Sequence, residues 1–343
     1  MTDLRAAVIG LGAMGANHAR LYAEIPGVRL VAVADPLAAK GEGALPTTGV
    51  QRHAPTNTFG DYRRMLNDVK LDLVSVCVPT RTHFEVASAV IERGIAALVE
   101  KPLAATITEG EHLRDLAAIR GVPLTVGHIE RFNPAVIELK RRLDRGELGR
   151  VYQVHARRVG PFPQRVRDVG VVLDLAPHDI DVMRFLLGSE IVRVQAETEQ
   201  RIATDHEDML AGVLRFENGV VGVLDVNWLT PTKIRELSVL GERGMFVVDY
   251  LARELTFFEN AQAAPSDDPQ WAAHHSKGVT EGTRTAIPIE KREPLRSELE
   301  AFVAAVRDGT PVAVSADDGL AAMRAAEALI ASAARGVGVE VGG

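Results

Sequence analysis

The 343-residue sequence predicts an α/β fold in two parts: a doubly wound parallel sheet at the N-terminus, then an α+β domain with a mostly antiparallel sheet. Three observations carry this. Up to about residue 126, continuous apolar runs alternate with segments of helical spacing. A glycine-rich turn joins the first run to the first helical segment. Beyond about residue 150, apolar and polar residues alternate, and short Gly/Asn turns join the runs.

In chain order, the first strands are expected over Ala6–Ile9, Arg29–Ala34, Leu73–Val78, Ala96–Val99 and Leu124–Val126. Helices are expected over Ala16–Glu24, Arg81–Arg93 and Ile107–Arg120. Such runs, with little polar alternation, suit parallel strands covered on both faces. Later strands are expected over Val151–Arg158, Val192–Thr198, Ala211–Phe216, Val220–Trp228, Ile234–Leu240 and Met245–Tyr250. Glu217-Asn218-Gly219 and Gly241-Glu242-Arg243-Gly244 fit hairpin loops that need positive φ. Helices are expected around 135–145, 175–187, 295–307 and 316–334, the last capped by Ser315 with Asp318. The polar stretch 259–283 reads as an exposed loop, and the expected division is 1–126 and 127–343.

Composition narrows the class. Hydrophobic residues at 46% and charged residues at 25% describe a globular chain rather than a disordered one. A net charge of −7 offers no bulk attraction to nucleic acid or an anionic membrane. The single cysteine, Cys77, excludes an intrachain disulfide and reads as a small buried hydrophobe in a strand. No apolar stretch approaches the ~20 residues of a membrane helix, and no basic segment leads into a long apolar core. The expectation is a cytoplasmic protein with neither a nucleic acid nor a membrane partner.

Gly10-Leu11-Gly12-Ala13-Met14-Gly15 follows the first strand and opens a helix. In that context the first glycine turns the chain, the second lets backbone approach a pyrophosphate, and the third lets helix and strand pack closely. The helix N-terminus then offers amides and partial positive charge to phosphates. This is the Rossmann arrangement. Asp35 ends the second strand, about twenty residues beyond Gly15. A carboxylate there accepts from ribose hydroxyls and repels a 2′-phosphate, which favours NAD over NADP.

Two further strand ends face the same edge. Cys77-Val78-Pro79-Thr80-Arg81-Thr82-His83 is a candidate cofactor loop, with Pro79, Thr80 and His83 as contacts; Thr82 alternatively caps the following helix. Val99-Glu100-Lys101-Pro102 ends the next strand. Lys101 there is placed to stabilise negative charge on an alcohol or carbonyl oxygen, with Glu100 orienting it or offsetting its charge. The sequence does not decide whether the bond to Pro102 is cis.

Together with Gly127-His128 and Asp174-Leu175-Ala176-Pro177-His178-Asp179, these elements resemble the glucose–fructose oxidoreductase / inositol dehydrogenase (Gfo/Idh/MocA) family over nearly the whole chain. The resemblance implies a large open sheet in the second domain, often used for oligomer contacts, hence a homodimer or homotetramer. It also implies that Lys101 binds the substrate oxygen, and that Asp174 and His178 complete the catalytic set. Positions four apart share a helix face, and an imidazole exchanges a hydroxyl proton near neutral pH. Pro177 is tolerated if the helix starts around Asp174–Ala176.

Gly127-His128-Ile129-Glu130-Arg131-Phe132-Asn133-Pro134 is similar to a subgroup that includes UDP-N-acetylglucosamine 3-dehydrogenases, as are the segments around Arg157 and Lys233. Substrate contacts are therefore expected from His128, Arg131, Asn133, Arg157, Arg165 and Lys233. Arg157, Arg158, Arg165 and Arg167 form a basic cluster in an acidic chain, suited either to a sugar nucleotide's diphosphate or to a solvated salt-bridge face. The expected chemistry is hydride exchange between nicotinamide and a secondary alcohol or ketone of a sugar or nucleotide sugar. Other readings are an inositol or free-sugar dehydrogenase, a 3-keto-sugar reductase, or a dinucleotide-binding regulator without turnover. No metal is expected: His274 and His275 are adjacent in a polar loop without helical ligand spacing.

Overall fold

The structure, a computed structural model, describes residues 3–37, 56–163, 169–202, 205–261 and 282–342. Most of the expected 259–283 loop, including His274 and His275, lies outside the described residues, as do Arg165 and Arg167. The chain divides into two units: Met1–Phe132 with Arg292–Glu327, and Asn133–Lys291 with Ala328–Val341.

The first unit contains β1 (Leu4–Ile9), α1 (Ala13–Tyr22), β2 (Val28–Ala34), β3 (Asn57–Phe59), α2 (Tyr62–Asp68), β4 (Leu73–Val76), α3 (His83–Ile91), β5 (Ala96–Glu100), α4 (Ile107–Arg120) and β6 (Leu124–Gly127). All six strands are parallel, in the order β3-β2-β1-β4-β5-β6. That order reverses direction between β1 and β4, the switch point at which doubly wound sheets bind ligands. The strands are apolar on both faces because both are covered. Ala6, Val8 and Leu30 pack with α1 residues Ala19, Leu21 and Tyr22 on one side. Ala7, Ile9 and Val74 join Val86, Val90 and Leu113 on the other.

The division expected at residue 126 changes in the structure, because the chain returns to this unit. In α7 (Pro294–Asp308), Leu295, Leu299, Phe302 and Val303 follow helical spacing and bury against the α1 side. Leu320 and Met323, early in α8 (Ala316–Arg335), bury on the opposite side. Ser315 begins α8 as expected: its Oγ accepts from the Asp318 N–H at 3.1 Å, and Asp318 accepts from the Ser315 N–H at 2.9 Å.

The second unit contains α5 (Pro134–Asp144), β7 (Val151–Pro161), α6 (Val171–Leu187), β8 (Ile191–Glu199), β9 (Met209–Phe216), β10 (Val221–Asn227), β11 (Leu229–Gly241), β12 (Gly244–Asp249), β13 (Glu254–Glu259), β14 (Arg284–Ile287) and β15 (Val339–Glu340). The strands form one sheet, β14-β13-β12-β11-β7-β10-β9-β8-β15, antiparallel except where β10 meets β7. Both expected hairpins form, with Gly219 at φ 86° and Gly244 at φ 149°. Helices α5 and α6 pack on one face, over Ala156, Leu224, Leu237 and Val248, all fully buried. The other face carries the row Val213, Val223, His155, Ser238 and Val247, partly or fully exposed. Among the described residues no helix is long and apolar enough to cross a membrane.

Candidate active site

The glycine loop leaves β1 at the switch point. Gly10 sits at φ 90°, and a Cβ on it would lie 2.5 Å from the Cys77 carbonyl oxygen. A Cβ on Gly15 would fall 1.8 Å from the Gly10 carbonyl oxygen, so both positions are filled by protein backbone. Gly12 differs: nothing lies within 4 Å of its Cβ position. Gly12 is also the N-cap of α1, and no side chain caps that helix start, beside which Ala13 is exposed. A helix N-terminus without a capping side chain, behind a glycine with open space, fits a pyrophosphate.

Beside it lies a cleft of about 790 Å³, lined among others by Gly10, Gly12, Asp35, Tyr62, Pro79 and Arg81. Asp35 accepts the Leu11 N–H at 2.8 Å with one carboxylate oxygen and the Leu37 N–H at 2.8 Å with the other. It thereby ties the glycine loop to the end of β2. Pro79 lines the cleft, while Met14 packs into the α1-side core.

Two residues expected at the cofactor are not among those lining the cleft. His83 is 1% exposed, with Nδ1 2.8 Å from the Pro102 carbonyl and Nε2 2.9 Å from the Val78 carbonyl. It clamps two strand-end loops instead of lining the cleft. Thr80 begins a single 3-10 turn and is not among the lining residues, whereas Arg81 and Thr82 are. Thr82 does not cap α3 with its side chain; its hydroxyl donates to the Pro79 carbonyl at 2.8 Å. Tyr62, which also lines the cleft, carries no local motif in the sequence, whereas Arg81 belongs to the candidate cofactor loop.

Lys101 follows β5, two strands from β1 in the same parallel sheet, and its bond to Pro102 is cis. Glu100 faces inward: one oxygen meets His18 Nε2 at 3.0 Å and the other accepts the Lys101 N–H at 3.3 Å. Burial alone would raise the Glu100 carboxyl; the His18 hydrogen bond and the charges of His18 and Lys101 reverse this and hold it below the usual carboxylate range. Among the described residues, His18, Cys77 and Glu100 bring one ligand-type atom each within 4.8 Å of one another. Burial, then the nearby Glu100 and Glu298 charges, pushes the Cys77 thiol up.

In the second unit, Asp174 and His178 lie one turn apart on α6, both half-buried. The helix starts at Val171, earlier than expected, so Pro177 is an interior residue and Gly170 is the N-cap. An interior proline cannot make the i→i−4 bond, here to the Leu173 carbonyl, one turn before it. The Val172 N–H at the helix start is met by Glu207 Oε1 at 3.2 Å. Asp179, next to His178, is fully buried and takes a two-pronged grip from Arg158 at 2.6 and 3.1 Å. The Arg158 guanidinium also lies 5.1 Å from the Tyr250 ring centroid.

Several residues expected at substrate have partners inside the protein. Arg131 is 8% exposed and paired with Asp318 at 2.8 Å. Burial alone would raise the Asp318 carboxyl; the hydrogen bond and charge of Arg131, with Ser315, lower it to about 2. Asn133 caps α5, accepting the Ala135 N–H at 3.1 Å and donating to the Tyr250 carbonyl at 3.2 Å. His128 is 2% exposed. Arg157 pairs with Asp225 at 3.3 Å on the exposed sheet face, and Lys233 is exposed on β11. With Arg158 buried on Asp179, the two described arginines of the basic cluster lie on carboxylates.

Parallel strands ordered about a switch point, with a glycine-rich helix start beside a cleft, define a dinucleotide-binding Rossmann protein. Residues 4–128 match the oxidoreductase family with an NAD-binding Rossmann fold, and residues 136–247 match the GFO/IDH/MocA C-terminal domain. The chain belongs to the GFO/IDH/MocA oxidoreductase family. It is 30% identical to a UDP-N-acetylglucosamine 3-dehydrogenase of Acidithiobacillus ferrooxidans over 312 residues, 91% of each chain. It is 32% identical to inositol 2-dehydrogenase 2 of Saccharopolyspora erythraea over 338 residues, 96% of this chain and 93% of the relative. A solved structure of the Acidithiobacillus ferrooxidans enzyme matches with a TM-score of 0.79 at 28% identity, covering 97% of this chain and 98% of that one.

Proposed function

We propose that this oxidoreductase uses NAD to oxidise a secondary alcohol of a sugar or polyol, with UDP-N-acetylglucosamine at C3 as the first substrate reading. The observation that carries the proposal is the shared strand-end edge of the first unit. The open glycine loop follows β1, and the Lys101 turn follows β5 of the same sheet. Gly12, the α1 N-terminus and Asp35 would hold the dinucleotide, which when bound accepts hydride from the carbinol carbon. Lys101 donates a hydrogen bond to the substrate oxygen and stabilises the charge that develops there. His178 takes the hydroxyl proton, and Asp174, one turn away, orients substrate or imidazole.

The nucleotide-sugar reading draws support from the Acidithiobacillus relative. An inositol is the second reading. It is favoured by the Saccharopolyspora relative, and by Arg157 and Arg158 being held by carboxylates and not both available to a diphosphate. Initial rates with NAD⁺ and NADP⁺ on UDP-N-acetylglucosamine, free N-acetylglucosamine, and myo- and scyllo-inositol separate the two. The first reading expects turnover only on the UDP-sugar; equal rates on the free sugar would remove it. Dinucleotide binding with no turnover on any of them would favour a regulator.

We also propose a homodimer or homotetramer through the second unit's sheet. The exposed face, with Val213 at 51% exposure, supports this reading. Light scattering after size exclusion tests it, and a monomer at micromolar concentration would contradict it.

A further inference from the structure

A buried hydrogen-bond chain runs beneath the glycine loop of the first unit. The Tyr22 hydroxyl lies 2.8 Å from Ser75 Oγ, and Ser75 Oγ lies 3.0 Å from His18 Nδ1. His18 Nε2 lies 3.0 Å from Glu100, whose other oxygen accepts the Lys101 N–H. Tyr22, His18 and Ser75 are all fully buried, on α1 and β4. Facing Glu100, on β6, is Gly127, where a Cβ would lie 3.1 Å from the carboxylate.

A carboxylate only accepts, so His18 donates from Nε2. Nδ1 meets the Ser75 hydroxyl, which can accept or donate, and Ser75 Oγ meets the Tyr22 hydroxyl, a phenol that burial pushes up and keeps protonated. Both ring nitrogens of His18 are thus satisfied. Apolar side chains of similar volume would fill this space with less desolvation, so packing alone does not call for the chain. Besides His18, the titratable and charged groups acting on Glu100 are Lys101 and His83, with Cys77 close by.

We propose that His18 is a positioning residue for Lys101: the Tyr22–Ser75–His18 chain fixes the Glu100 carboxylate, which in turn fixes the backbone turn bearing the Lys101 ammonium. This rests on the role given to Lys101 above.

The test compares His18→Leu, which removes the donor, with His18→Gln, which keeps an amide N–H near the Nε2 position. Lys101→Ala serves as the control. The readouts are kcat and KM on the best substrate of the panel, NADH affinity by fluorescence, and hydrogen exchange of the Lys101 amide by NMR. His18→Leu is expected to lower kcat about ten- to a hundredfold, with KM and NADH affinity within about threefold. It is also expected to speed Lys101 amide exchange about tenfold, and His18→Gln to recover most of both losses. Normal kcat and normal exchange in His18→Leu, with Lys101→Ala inactive, overturn the inference alone; so does a His18→Gln enzyme no better than His18→Leu. Normal turnover in Lys101→Ala overturns the role of Lys101 and this inference with it. If His18→Leu does not fold, Ser75→Ala replaces it. That variant is expected to show faster Lys101 exchange and a kcat loss of about threefold, and wild-type behaviour on both counts overturns the proposal.

Discussion

Gly12 and Gly15 answer to different demands. Gly15→Ala drives a Cβ into the Gly10 carbonyl and is expected to cost about 1–3 kcal/mol of stability. Gly12→Ala meets no protein atom, so stability should change by less than about 0.5 kcal/mol while NAD binding weakens about tenfold or more. Thermal melts paired with NADH titrations separate the two; equal destabilisation would contradict the assignment of Gly12 to the cofactor. Asp35→Ser should shift preference toward NADP by about tenfold, because a carboxylate no longer opposes the 2′-phosphate. An unchanged NAD/NADP ratio of kcat/KM would speak against Asp35 at the ribose. At this scale the sequence showed residue type and local spacing, not distant partners. Arg131 was legible as a cation near a strand end, but its mate Asp318 lies far along the chain. The same blindness hid His18, whose partners Ser75 and Glu100 come from other strands.

Two ion pairs anchor whole elements. Arg131–Asp318 ties the turn after β6 to the start of α8, within the first unit. The Asp318 carboxyl sits at about 2 against an ordinary 3.8, a depressed value, so its contribution is full above about pH 4 and lost as pH falls toward 2. Asp318→Asn should therefore cost about 2 kcal/mol at neutral pH in urea unfolding, and the cost should shrink as the solution is acidified through that window. A cost independent of pH would contradict the pairing. Arg158–Asp179 fastens α6 to β7, and Asp179→Asn leaves a buried guanidinium short of its anion. A loss of about 3–5 kcal/mol is expected, against little change if the pair is incidental. The long elements were legible because periodicity needs length: α4 spans Ile107–Arg120 as read. The short β3 and α2, the edge strands β14 and β15, and β13 next to the edge were not, since runs this short carry no distinguishable period. Pro177 shortened the expected α6, although tertiary burial of the helix carries it through the proline.

For the whole molecule, the first unit borrows Arg292–Glu327 to cover its sheet, which a left-to-right reading assigned to the second part. Helices α7 and early α8 announced their amphipathic faces in sequence, but not the sheet those faces would meet. In the proposed reaction the Lys101 ammonium meets the reacting oxygen while the glycine loop holds NAD. The direct measurement is the rate of NADH formation by wild type and Lys101→Ala at saturating NAD⁺, on the best substrate of the sugar and inositol panel, with NADH affinity measured alongside. Turnover of Lys101→Ala is expected to fall about a hundred- to a thousandfold with NADH affinity nearly unchanged. Turnover within about threefold of wild type would contradict it.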